Sequence, residues 1–159
     1  MSTTSVLGLQ DIFESAYGAT EQFIDVCPDE IWSRSFGGWP IWQHVYHSLL
    51  FTELFALDSK ESPEKHPLSM EVAVFAQTPD TPWSKYDARE FAMRVRTQAE
   101  AYFAVLTDAD LDRKHGMLSQ FFKKDMPQTA AASIMAGHVY YHLGVCDAAL
   151  REQGLKGIL

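Results

Sequence analysis

The stretch Ala131-Ala-Ser-Ile134-Met135-Ala-Gly-His138-Val-Tyr-Tyr141-His142-Leu-Gly-Val145-Cys146-Asp-Ala-Ala149 decides how the chain is read. Apolar or small side chains return at Ala131, Ile134, Met135, Val145 and Ala149 with the three-and-four spacing of one helical face, and His138, Tyr141 and His142 fall on that same stripe. A helix is therefore predicted from about Pro127, a residue that costs nothing in a first turn, to a stop near Gly154.

Three more helical patterns lie upstream. The first runs from about Val6 to Val26 through Leu9, Ile12, Phe13, Ala16, Thr20, Phe23 and Ile24, and Pro28 ends it. A polar turn through Gly37 and Gly38 leads to a second helix from about Pro40 to Leu57 that is apolar around most of its circumference. The third spans about Tyr86 to Leu106, with Ala88, Phe91, Ala92, Val95, Ala99, Tyr102 and Leu106 on one side. Between the second and third, Pro63, Pro67, Pro79 and Pro82 break the pattern, with room for a brief helical piece near Leu68 to Phe75. Residues 108–120 read as a loop with at most one turn at its start. No alternating strand pattern of convincing length, internal repeat or low-complexity segment occurs. The expected fold is all-α: a four-helix bundle with a long connection between its second and third helices, and one domain over residues 1–159.

Composition narrows the function. A formal charge of −8 leaves no excess of Lys and Arg for phosphates or an anionic membrane, so nucleic acid and membrane are not expected partners. No apolar run approaches the roughly 18 to 20 residues of a membrane helix. The start Met1-Ser-Thr-Thr-Ser carries no basic region and apolar run of a leader, and two cysteines make no disulfide framework, which points to the cytoplasm. The apolar surplus of the second helix suggests a homodimer.

Two histidines four apart stack their imidazoles on one face, about 6 Å apart, where both reach one ion. Facing inward, they need a metal, a carboxylate or a hydroxyl to offset desolvation. A third ligand must come from another helix. On the second helix, the mean direction of Leu50, Phe51, Leu54 and Leu57 lies roughly 30° from His47 and about 90° from His44 at 100° per residue. His47 is the inward candidate. His44 reads as a boundary residue, touching a ligand or facing solvent, and as the substitute ligand if the helix is rotated. Imidazole suits Zn, Ni, Cu and Fe alike. Three neutral imidazoles leave a divalent ion at least one open position, where a water or thiol can bind. A pocket wall can draw on Trp39, Trp42, Tyr46, Phe51 and Tyr141, although most such rings are expected to be core. Tyr46 and Tyr141 stand out because each adjoins a proposed ligand. Cys146, a turn beyond His142, is read as a buried hydrophobe rather than a ligand, and Cys27 as a core residue at a helix end. His66 and His115 read as solvated loop residues, with His115 able to approach the site if its loop covers the bundle's end. Glu53 and Asp147 fall on polar faces or boundaries and carry no assigned role.

The segments Trp42-Gln-His-Val-Tyr-His47-Ser-Leu-Leu-Phe and His138-Val-Tyr-Tyr-His142-Leu-Gly144, with Leu150-Arg-Glu-Gln-Gly154 after them, resemble the DinB and YfiT-like family of metal-dependent enzymes. The resemblance covers nearly the whole chain, the second segment being the more specific. It implies a metal triad of one histidine in the second helix and a His-x-x-x-His pair in the last, which falls on His47, His138 and His142. It further implies a divalent transition metal ion such as Zn, Ni or Fe, and a transferase acting on a small molecule, with a low-molecular-weight thiol (bacillithiol, mycothiol or glutathione) as co-substrate. The alternative is a non-catalytic bundle that binds a metal or apolar ligand for structure or protein association.

Overall fold

The computed structural model describes residues 4–58 and 65–159; Met1 to Thr3 and the stretch around Pro63 lie outside them. Four long helices dominate: α1 (Thr4–Val26), α3 (Ile41–Leu57), α5 (Lys85–Val105) and α7 (Gln128–Glu152). Both α1 and α3 pack against α5 and α7, so each long helix has two neighbours and the four enclose one apolar core. Phe13, Tyr17, Phe23, Trp42, Tyr46 and Phe103 are its largest fully buried side chains, which is where much of the aromatic content goes. The fold is all-α.

The short elements sit at the ends and connections. Pro28 stops α1 and opens α2 (Asp29–Trp32), whose proline-led start needs no donor. Gly37 and Gly38 take left-handed φ values of 62° and 99°, reversing the chain between two-residue strands β1 (Ser35–Phe36) and β2 (Trp39–Pro40). This hairpin packs against α7 and delivers the chain into α3. The connection after α3 holds α4 (Met70–Ala73), inside the stretch where a brief helical piece is predicted.

Residues 108–120 depart from the expected loop. After the turn Asp108–Asp110, a helix α6 (Gly116–Phe122) forms, its start capped by the His115 side chain, whose Nδ1 accepts from the Leu118 amide at 3.1 Å. His115 is fully buried rather than solvated. Its Nε2 donates to the Phe55 carbonyl at 2.8 Å, which places it against the end of α3 and away from the histidine cluster. Helix α3 packs against α4, α5, α6 and α7, and Phe51, Leu54, Ala56 and Leu57 in its second half stay half-buried. Among the described residues no helix is long and apolar enough to cross a membrane.

Candidate metal centre

The buried side of α7 runs through Ala132, Met135, Ala136, Val139, Leu143, Cys146 and Leu150. Ile134, His138 and Val145 lie at its margin, half-buried, and Tyr141 is 68% exposed. The stripe read from the sequence is thus the edge of the core. On α3 the same holds: residues 41–50 are all buried except His47, which is half-buried. The two helices pack with these edges facing, so the histidines meet at the floor of a recess instead of in sealed core.

His47, His138 and His142 each offer a nitrogen, and those atoms lie within 4.8 Å of one another. The Nε2 atoms of His47 and His138 are 2.8 Å apart. Nitrogens sharing one ion at about 2.1 Å each stand about 3 to 4 Å apart, so this spacing brackets that of a common ion. The donor chemistry fits as well. His47 Nδ1 lies 2.6 Å from the Ala73 carbonyl oxygen, which can only accept, so Nδ1 carries the proton and Nε2 presents its lone pair to the cluster. Burial lowers the pKa of each ring; the neighbouring His47 lowers His138 further, to about 4, and His142 lower still. The three are neutral at pH 7, the state a metal ligand requires.

These shifts fix how the metal-free protein responds to acid. Each histidine has a folded pKa below the ordinary 6.5, so between about 6.5 and about 4 the unfolded chain takes up protons that the folded chain refuses. The stability held above pH 6.5 is therefore lost as the pH falls through that window. Urea midpoints taken from pH 7.5 to 5 are expected to fall more steeply with acid for metal-free wild type than for His138→Gln. Parallel curves would contradict the shift.

The recess above the cluster has a volume of about 350 Å³ and is lined by Gly37, Trp39, His44, His47, Phe75, His138, Tyr141, His142 and Val145. Phe75 stacks on His47, ring centroids 4.6 Å apart, and lies 4.6 Å from the Trp39 ring, whose indole N–H donates to the Phe75 carbonyl at 3.3 Å. Its φ of 61° is a left-handed value that a bulky side chain adopts at a cost of order 1 kcal/mol or more. Gln43 holds this segment: its amide nitrogen donates to the Val72 and Gln77 carbonyls, both at 2.8 Å. Phe51 packs on both His47 and His138 from the other side.

Not every candidate meets here. Trp42 is core, and Tyr46 donates its hydroxyl to the Leu68 carbonyl at 2.6 Å, away from the cluster. Tyr141 does line the recess, edge-on to His142. Cys146 is buried with its thiol pKa driven far up by desolvation, and it stands outside the ligand set; Cys27, also buried, is pushed up to about 12. His66 pairs with Glu53, a carboxylate that is fully buried rather than at a boundary, and Asp147 is buried too. Sequence reasoning missed Phe75 and Ala73, which sit in the proline-broken connection with no periodic signal to place them.

A chain of the all-α class with three neutral imidazoles converging from two helices at the floor of an aromatic recess is a candidate metal-binding protein. The model of the DinB superfamily matches residues 12–146, and the chain belongs to that superfamily. No curated protein and no solved structure matches it.

Proposed function

We propose that His47, His138 and His142 hold one divalent transition metal ion, zinc, nickel or iron, and that the chain is a metal-dependent transferase acting on a small molecule, with a low-molecular-weight thiol as co-substrate. The observation that carries this reading is the convergence of the three donor nitrogens within 4.8 Å at the base of an open recess. A bound ion supplies Lewis acidity there, lowering the pKa of a thiol or water. The chain's own side chains do the rest. The Ala73 carbonyl holds His47 in the tautomer with Nε2 free, and Trp39 and Phe75 wall one side of the recess with apolar surface that excludes water from a bound molecule.

Cobalt-substituted protein titrated with glutathione, bacillithiol and mycothiol tests the thiol part. A charge-transfer band saturating with one of the three is the expected result; no band with any of them contradicts thiol activation and leaves the metal assignment to stand alone. We propose also that the chain forms a homodimer; sedimentation at micromolar concentration tests it, and monomer alone would contradict it.

A further inference from the structure

His44 is 4% exposed, and its ring lies between the hairpin and α7. Its Nε2 is 3.0 Å from the Phe36 carbonyl oxygen, and its Nδ1 is 3.2 Å from Nδ1 of His142. A carbonyl oxygen only accepts, so Nε2 of His44 carries the proton and, in a neutral ring, Nδ1 is bare. A bare nitrogen facing Nδ1 of His142 requires that atom to donate. His142 then has Nδ1–H and a bare Nε2.

We propose that His44 is a positioning residue: relaying the direction of the Phe36 carbonyl to His142, it fixes the tautomer that presents Nε2 of His142 as the metal-binding nitrogen. The inference rests on the metal reading of the triad. His47 receives the same instruction directly from the Ala73 carbonyl, whereas among the described residues the hydrogen-bonding partner of His142 is His44, which bridges the gap. The hairpin exists in the geometry this needs because Gly37 and Gly38 occupy left-handed φ values that place Phe36 opposite Trp39. Trp39 and Phe75, with ring centroids 6.2 and 5.3 Å from that of His44, hold the imidazole plane. His138 differs. Its Nε2 lies 2.8 Å from the bare Nε2 of His47, so in the metal-free protein it must donate there, and it alone of the three has to shift its proton to Nδ1 to become a ligand.

Long-range nitrogen correlation spectra of ¹⁵N-histidine protein read the tautomers without any metal, and zinc affinity is read separately by competition with a chromophoric chelator. Metal-free wild type is expected to show His142 with its proton on Nδ1 and His44 with its proton on Nε2. His44→Phe keeps a ring but neither nitrogen; His142 should then populate both tautomers, and zinc should bind about 10- to 100-fold more weakly. His44→Gln offers an amide oxygen to His142 and an N–H to Phe36, and should recover most of that loss. A wild-type His142 protonated on Nε2 would overturn the proposal, as would His44→Phe binding zinc with wild-type affinity. If His44→Phe does not fold, the wild-type tautomers and His44→Gln decide. Wild type that binds no zinc would refute the metal reading, and its spectrum would still report whether His44 sets the tautomer.

Discussion

Replacing Gln43 by leucine is expected to destabilise the protein by about 2 to 3 kcal/mol and to weaken metal binding with it. Gln43 is fully buried on α3, with its amide nitrogen shared between the Val72 and Gln77 carbonyls and its amide oxygen accepting from the Thr78 hydroxyl at 2.8 Å. Leucine fills nearly the same volume and makes none of these bonds. Gln77 and Thr78 are exposed and can turn to water, whereas Val72 is buried and its carbonyl is left with the Phe75 amide at 3.2 Å, so most of the cost falls there. The same segment carries the carbonyl that orients His47 and the Phe75 ring stacked on it. Loosening it therefore reaches the cluster without touching its three histidines. Urea unfolding with zinc competition is the check; a variant within about 0.5 kcal/mol of wild type would show that the clamp is not what holds the segment.

A loss of about 3 to 5 kcal/mol is expected for Glu53→Ala, the larger of the two effects. The Glu53 carboxylate is fully buried, 3.1 Å from Arg94 Nη2 and 3.2 Å from His66 Nε2. Removing it takes the carboxylate away from the Arg94 guanidinium, itself only 18% exposed, which lies over the Phe91 ring and donates to the Lys65 carbonyl at 3.4 Å. Losing one charge of a closely packed pair is what makes such a deletion costly, so removing both charges should cost less than removing one. Glu53→Leu combined with Arg94→Met is accordingly expected to recover part of the loss in urea unfolding. A Glu53→Ala variant within about 1 kcal/mol of wild type would contradict this account of the pair.

The long helices were legible because each buries a face whose spacing survives in the sequence: the ends of α1, α3, α5 and α7 fall within a residue or two of the expected positions. Periodicity shows that a face is apolar but not how far it turns toward the core. Reading His138 and His142 with Ile134 and Val145 brought them to the right edge of α7, yet placed Tyr141 inward, where it is exposed. The buried side also includes Ala132, Ala136 and Val139, a rotation set by how α7 meets α1 and α3. His47 was separated from His44 by angle alone, and the structure brings His47 to the cluster while seating His44 behind it, against His142.

What the sequence hid lies in its irregular parts. Helix α6 is short and starts from a side-chain cap on His115, a contact that depends on the end of α3 and has no local signature. Glu53 looked like a boundary residue because its partners, Arg94 and His66, come from distant positions. Phe75 and the Ala73 carbonyl matter to the cluster only because Gln43 folds their segment over it.

Metal content decides the central claim most directly. Untagged protein analysed for zinc, nickel, iron, cobalt and copper, beside His47→Ala and His142→Ala variants shown by circular dichroism to be folded, should contain a single ion per chain in the wild type and close to none in either variant. Wild type that holds no ion after incubation with these metals, or variants that retain it, would contradict a centre built from His47, His138 and His142.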